Sequence, residues 1–137
     1  MPKQSLRVVA VLAVALVTAR AGADRASAAG VVFIDACETL SDPNTTYKLT
    51  TDLTSCGDCL VVAADRITID LQGHAIRSTC PPDDGPPSAA ITTDQGISRD
   101  LIVVRNGTVA GYSFGVGLGN STRVSVLGVT AENNALT

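Results

Sequence analysis

The sequence predicts an all-β solenoid, in which short strands stack coil upon coil. Three observations indicate this fold class. After residue 30, no apolar segment with the 3.6-residue period of an amphipathic helix is long enough to form one. Short segments rich in Val, Ile, Leu and Thr occur instead, and Gly, Asn and Asp separate them. These segments recur about every 22 to 24 residues, a period typical of one coil of a repeat protein.

Length and composition place the chain among single-domain globular proteins. Its 137 residues correspond to about one domain. A hydrophobic content of 45% with 17% charged residues is too apolar for a disordered chain. The formal net charge is −3, and Lys and Arg form no cluster. The composition therefore argues against nucleic acid as a partner.

The N-terminal segment has the features of an export signal. Lys3 and Arg7 precede an unbroken apolar run at positions 8–17, which is too short to span a bilayer as a helix. Residues 21–23 and 26–28 both fit the A-x-A rule for signal cleavage. The alternative is an N-terminal membrane anchor. We expect residues 1–28 to be a signal peptide, and the protein to be secreted, extracellular or periplasmic, with no membrane span after signal removal.

The four cysteines are Cys37, Cys56, Cys59 and Cys80, an even number that favours disulfides in an exported protein. Cys56 and Cys59 form a C-x-x-C motif, for which a redox pair or a zinc site is the alternative. The motif precedes a strand-like segment instead of a helix, and a second closely spaced ligand pair for zinc is missing. Of the three connectivities, we predict Cys37–Cys56 and Cys59–Cys80, because each pair spans a length of sequence close to one coil. The pair Cys56–Cys59 would close a very tight loop and leave Cys37–Cys80 across two coils.

The repeat is clearest in three segments, at residues 67–71, 102–104 and 124–126. The interval between the last two matches the interval between the first two once the loop 78–88 is subtracted from the latter. Four prolines exclude a central strand from that loop. We expect the three segments to stack in parallel. The side chains expected to face inward are Ile67, Ile69, Leu71, Val104, Val124 and Val126.

Weaker segments accompany these three, and their composition suits a stacked interior. Small and β-branched residues predominate, and aromatic residues make up only 3% of the chain. Gly and Asn between the segments suit tight turns with left-handed backbone conformations. The remaining strands are predicted at residues 47–49, 60–63, 75–76, 90–92, 108–109, 116–118 and 129–131.

Three stretches of sequence carry a family resemblance. They are the segment 52–76, which contains I-T-I-D-L-Q-G-H-A-I, the segment R-N-G-T-V-A-G-Y at 105–112, and V-T-A-E-N-N at 129–134. Together they resemble secreted right-handed parallel β-helix repeat proteins of the pectate-lyase-like superfold, over about residues 31–137. The resemblance implies a right-handed parallel β-helix. It implies little about activity, because the fold includes lyases, hydrolases, epimerases and adhesins.

The resemblance also implies a domain organisation. We expect a signal peptide at residues 1–28, an N-terminal cap and first strand at 29–59, and about three β-helix coils at 60–137. Members of the superfold usually continue for many more coils. The chain is therefore expected to be a fragment of a longer solenoid.

Carboxylates are the first candidates for chemistry, because uronate lyases of this superfold bind Ca²⁺ through them and use a basic residue as the base. No two acids lie two positions apart on one strand of the repeat region, so we expect turn-forming or structural roles for them. Asp83 and Asp84 in the proline-rich loop are too few for a calcium shell. We expect no cofactor, with Ca²⁺ relevant only if the parent protein is a uronate lyase. The carboxylates considered in the repeat are Asp65, Asp70, Asp94, Asp100 and Glu132.

Other side chains are candidates for sugar binding. His74, the only histidine, lies in a Gly-His turn and is expected to be structural. Arg105 and Arg123 suit acidic sugars, although both also fit surface positions beside a strand. Tyr112 and Phe114 suit stacking on a sugar ring, although the chain has no Trp. The substrate-binding candidates retained are Asp70, Arg105 and Tyr112, and no catalytic or metal-binding residue is predicted.

Three functions follow as hypotheses. The first is a non-catalytic secreted repeat protein with a structural or surface-interaction role, whose partner is a polysaccharide or a cell-surface component. The second is the N-terminal part of a polysaccharide lyase or glycoside hydrolase whose catalytic coils lie beyond Thr137. The third is a carbohydrate-binding module, which the lack of Trp disfavours. The first is preferred, and the second is the alternative.

Overall fold

The structure is a computed structural model that describes residues 30–80, 88–94 and 97–135. Within these ranges the chain forms eleven β-strands and no helix, as the sequence predicts. No helix in this part of the chain is long and apolar enough to cross a membrane. The predictions for the signal peptide at 1–28 and for most of the loop at 78–88 lie outside the described residues. The strands are β1 (Gly30–Ile34), β2 (Glu38–Leu40), β3 (Thr45–Leu49), β4 (Leu53–Ser55), β5 (Leu60–Val62), β6 (Ile67–Asp70), β7 (Ala75–Ser78), β8 (Ala89–Thr93), β9 (Asp100–Ala110), β10 (Phe114–Gly117) and β11 (Thr122–Glu132).

The strands form two sheets in which every pairing is parallel. The larger sheet has the order β1-β3-β6-β9-β7-β4, and β11 also pairs with β9. The smaller sheet has the order β10-β8-β5-β2. Among the described strands, partners are never consecutive in the sequence. Apart from β1, whose pairing with β3 spans a shorter interval, each strand pairs with strands one repeat earlier or later. One such repeat is called a coil below.

The register of the larger sheet confirms that the three predicted segments stack in parallel. Ile67 pairs with Ile102, and Ile102 pairs with Val124. The same column continues to Thr45 on β3 and Gly30 on β1. Paired residues point to the same face of a sheet, so the apolar side chains of Ile67, Ile102 and Val124 lie over one another.

A recurring corner precedes each strand of this stack. Asn44, Arg66, Leu101 and Arg123 all adopt positive φ, between 51° and 60°. Each is the residue immediately before a member of the stacked column. Left-handed backbone is uncommon in non-glycine residues, so its recurrence at equivalent positions marks one repeated turn.

The core lies between the sheets, and it contains four of the six residues predicted to face inward. Ile67, Ile69, Leu71 and Val104 are fully buried. Val124 and Val126 are not buried with them, since 36% and 47% of their surfaces are exposed. Both share a face with buried residues of β9, but β11 pairs only with β9 among the described strands. Their side chains therefore lack a covering neighbour.

All four cysteines form disulfides, but the predicted pairing is wrong. The bonds join Cys37 to Cys59 and Cys56 to Cys80, with Cα–Cα distances of 4.6 and 5.1 Å. Their separations of 22 and 24 residues equal the strand repeat. Each bond thus connects equivalent positions on adjacent coils, which the shorter predicted spans do not. Two disulfides are consistent with an oxidising environment.

Strand number and length also differ from the prediction. Strands β1, β2 and β4 fall within residues 29–59, where the sequence predicts a cap and one strand, and they pair with later strands of both sheets. Strands β9 and β11 each continue for 11 residues, whereas the sequence predicts two short strands in each region. The turn expected at 106–108 is a bend within β9, at the positive φ of Asn106.

Candidate functional site

The first two substrate-binding candidates, Asp70 and Arg105, are brought together on the outer face of the larger sheet. They are paired in register, and Arg105 Nε donates to Asp70 Oδ2 at 3.2 Å. The other carboxylate oxygen accepts from the Gln72 amide at 3.0 Å and from Asn106 Nδ2 at 3.4 Å. Partial burial raises the pKa of Asp70, but these hydrogen bonds outweigh it and lower the pKa below its usual value. The Asp70 carboxylate is therefore ionised, and its hydrogen bonds to Arg105 and Asn106 connect it to the next coil.

The third candidate, Tyr112, does not face solvent. Its side chain is fully buried, and its hydroxyl lies 2.8 Å from Ser55 Oγ. Burial raises its pKa above the usual value. The prediction that this ring stacks on a sugar is wrong, because the ring fills the core between coils. Phe114 lies close to it in sequence and is partly exposed.

The remaining acidic candidates are also engaged with neighbouring groups. Asp65 Oδ1 accepts from the Asp100 amide at 2.9 Å. The carboxylate of Asp100 accepts from the guanidinium of Arg123 and from Thr122 Oγ1, and these bonds lower its pKa to about 2. Each bond joins one coil to the next. Asp94 pairs with Arg99 at 3.1 Å, and Glu132 lies 3.9 Å from Arg77.

His74 has a partner that the sequence analysis did not identify. Its Nδ1 lies 3.2 Å from Asp52 Oδ1, and the same oxygen accepts from the Ala75 amide at 3.0 Å. The Ala75 amide and His74 both lower the pKa of Asp52. The pair is partly exposed at a corner between two coils. Because Asp52 also binds backbone, the arrangement fixes the Gly-His turn, as expected for a structural histidine.

The donor set does not suit a calcium ion. In the part of the chain that the structure describes, no three His, Cys, Asp or Glu side chains gather to hold a metal. Ca²⁺ requires about six to eight oxygen ligands. We therefore derive no chemistry through a metal from these coils.

A polar groove, hereafter the outer groove, lies on the outside of the smaller sheet. Its volume is about 490 Å³. Its floor is a column of residues in register, Val61 on β5, Thr92 on β8 and Gly117 on β10. These residues alternate with fully buried neighbours such as Leu60 and Ile91, so they point outward. The other lining residues are Asp58, Thr93, Asp94, Gly119 and Asn120.

The floor residue on β10 is a glycine, which carries no side chain. A Cβ added at Gly117 would meet only Phe114 Cβ at 3.8 Å and Thr92 Oγ1 at 4.0 Å. Thr92 Oγ1 donates to the Gly117 carbonyl at 3.1 Å, which connects β8 to β10 across the floor. The floor is thus a strand surface that is left open where Gly117 has no side chain.

The polar groups at the groove margin differ in how far they are already satisfied. Asp94 accepts from Arg99 through both oxygens, at 3.2 and 3.1 Å. Asp58 Oδ1 accepts from the Ala89 amide at 2.8 Å, while the residue itself is exposed. Asn120 is exposed, with a positive φ of 64°. The groove therefore presents carboxylate, hydroxyl and amide groups to solvent.

The sequence analysis did not identify this groove. Its floor joins residues from three different coils, and the proline-rich loop interrupts the interval between the first two. Only the coil register aligns these residues. The indication that the sequence does contain is a small or hydroxylated residue at the outward position of two of the weakly predicted strands.

Comparison with protein families, curated proteins and solved structures finds no match to this chain.

Proposed function

We propose that this protein is a secreted right-handed parallel β-helix repeat protein with a structural or surface-interaction role, and that the described coils perform no catalysis. Three features support the β-helix. Parallel strands stack in register, positive-φ corners recur at residues 44, 66, 101 and 123, and both disulfides join positions one repeat apart. Such stacking buries a continuous core that no single coil can bury alone.

The observation that carries the non-catalytic role is the use of the carboxylates. Asp52, Asp65, Asp70 and Asp100 each accept a hydrogen bond from a backbone amide or a side chain of the next coil. A general acid or base needs a carboxyl that can exchange a proton with substrate, and its pKa is normally raised toward the working pH. In Asp52, Asp70 and Asp100 the pKa is lowered. These groups act as links between coils.

The surface-interaction role is supported by the outer groove. Its floor lies on β5, β8 and β10, and the loops beside these strands carry Asp58, Asp94 and Asn120 at its margin. Its carboxylate, hydroxyl and amide groups suit a hydrogen-bonding partner such as a polysaccharide or another cell-surface component. The fully buried Tyr112 takes no part in this surface.

An activity assay with polygalacturonate tests the proposal. The full chain is incubated with the polymer, with and without Ca²⁺, and unsaturated products and new reducing ends are measured. We expect neither product. Turnover that is lost in Asp70→Asn, but kept in Asp35→Asn, an exposed carboxylate outside the groove, would contradict the proposal.

The alternative is the N-terminal part of a polysaccharide lyase or glycoside hydrolase whose catalytic coils lie beyond Thr137. The exposure of Val124 and Val126 on the core side of β11 favours it, because another coil would cover them. Sequencing the reading frame beyond Thr137 distinguishes the two. Further coils that carry a cluster of acidic and basic residues would favour the alternative.

A further inference from the structure

We propose that the outer groove binds an uncharged, hydroxyl-rich glycan and disfavours anionic glycans. This inference rests on the surface-interaction role proposed above and specifies the class of partner. It follows from the shape of the floor, the hydrogen-bonding groups at the margin and the sign of the charge.

The floor suits the face of a sugar ring. Val61 provides an apolar surface, Thr92 lies beside it in register, and Gly117 leaves the third position open. Pyranose rings present C–H groups on their faces and hydroxyls at their edges. A ring lying over Gly117 would place its apolar face on the floor and direct its hydroxyls toward the margin.

The margin suits hydroxyl donors. Asp58 uses one carboxylate oxygen for the Ala89 amide and is otherwise exposed. A sugar hydroxyl that donates to this carboxylate makes a charge-assisted hydrogen bond, which is stronger than a neutral one. Thr93 and Asn120 add groups that both donate and accept. A polyol satisfies such a mixed set better than a ligand with acceptors alone.

The charge of the groove argues against uronates and other anionic glycans. Asp58 and Asp94 are lining residues, and no Lys, Arg or His lines the groove among the described residues. Arg99 compensates Asp94 through both oxygens, so Asp58 is the carboxylate that sets the local sign. A carboxylate-bearing sugar would bring like charge against it, which opposes association.

Binding measurements with three probes test the inference. Isothermal titration of the full chain at fixed salt is performed with a neutral glucan oligosaccharide, an oligogalacturonate and a chitosan oligosaccharide. The blocking variant is Gly117→Val, which fills the floor and suits a strand. Its matched control is Gly30→Val on β1, a strand glycine outside the groove at which the added Cβ has nothing within 4 Å. Thermal melts show that both variants fold.

We expect the neutral glucan to bind and the oligogalacturonate to bind at least about tenfold more weakly. Gly117→Val should weaken glucan binding by about tenfold or more, and Gly30→Val should leave it unchanged. Asp58→Asn keeps an acceptor for the Ala89 amide but removes the negative charge. It should therefore narrow the difference in affinity between the neutral and the anionic probe.

Four results would overturn the inference. Tighter binding of the oligogalacturonate, weakened by Gly117→Val, would show the wrong charge preference while supporting a glycan-binding surface. If chitosan were the only probe to bind, and salt weakened its binding, the groove would act only through its negative charge. Glucan binding that Gly117→Val does not change would place the site elsewhere. If no probe binds, the polysaccharide partner proposed above fails together with the inference.

Discussion

Replacing Gly107 with Ala tests the closeness of neighbouring coils. A Cβ at this position would lie 2.3 Å from Leu71 Cβ and 2.6 Å from the His74 carbonyl oxygen. Both belong to the preceding coil, and Leu71 is fully buried. Real Cβ atoms do not approach other atoms so closely, so the coils must separate by about 1 Å at this point. The same carbonyl accepts from the Thr108 amide at 3.1 Å, and that bond would be strained or lost.

The expected cost follows from these two effects. Overpacking a tight core costs about 1–3 kcal/mol, and a strained backbone hydrogen bond costs about 0.5–1.5 kcal/mol. We expect Gly107→Ala to lower the free energy of unfolding by about 2–4 kcal/mol. In a domain of this size, that corresponds to a fall in Tm on the order of 10–20 °C.

Urea unfolding and thermal melts followed by circular dichroism measure the effect. Gly57→Ala is the matched control, because an added Cβ there has nothing within 4 Å. It should leave stability unchanged or raise it by up to about 1 kcal/mol, since Ala restricts the unfolded chain. If the free energy of unfolding of Gly107→Ala lies within about 0.5 kcal/mol of that of the parent protein, the close approach of the coils is refuted.

Three further outcomes are expected. Acidification should lower Tm between about pH 5 and 2, because carboxylates with a lowered pKa in the folded state stabilise the fold only while they are ionised. In Asp100→Asn, Tm should fall less over the same pH range. An equally steep fall of Tm in this variant would contradict the role of Asp100. Tyr112→Phe should lower the free energy of unfolding in urea by about 1 kcal/mol, because it removes the hydroxyl that binds Ser55 and leaves Ser55 in place. A variant more stable than the parent protein would count against this hydrogen bond. The double variant Cys56→Ser/Cys80→Ser should have a free energy of unfolding lower by about 3 kcal/mol, because the unfolded chain is no longer restricted by the closed loop. An unchanged Tm would contradict this expectation.

The alternation of side chains made the main stack predictable. In residues 67–71, apolar and polar residues alternate strictly, and recurrence at the interval of one coil identifies the partners at Ile102 and Val124. Strands β1, β2 and β4 lack such alternation over a sufficient length. Their strand conformation comes from pairing with later coils, which local sequence does not reveal.

The disulfide error has a geometric origin. The predicted pairs approximate the length of one coil but fall slightly short of it, and a shift of one residue in a strand already turns its side chain to the opposite face. The separations of 22 and 24 residues match the repeat and place both sulfur atoms on the same side of adjacent coils. The strand repeat itself therefore contained the information needed to choose between the pairings.

The candidate site was less predictable than the fold. The sequence indicates Asp70 and Arg105 separately, and their pairing depends on a register across the proline-rich loop. Tyr112 is a plausible surface residue from sequence because aromatic residues often contact sugars, but its ring is packed into the core, as the buried ring of Tyr47 is. The outer groove is open at Gly117, which has no side chain. Which residues border this opening becomes apparent only once the strands are aligned.

Peptide mapping under non-reducing conditions tests the stacking of the coils most directly. After proteolysis with free thiols blocked, the disulfide-linked peptides are identified by mass spectrometry. Coils that repeat every 22 to 24 residues predict a link between Cys37 and Cys59 and another between Cys56 and Cys80. Links between Cys37 and Cys56 and between Cys59 and Cys80, or free thiols at any of the four, would contradict the coil register on which the fold and the groove both depend.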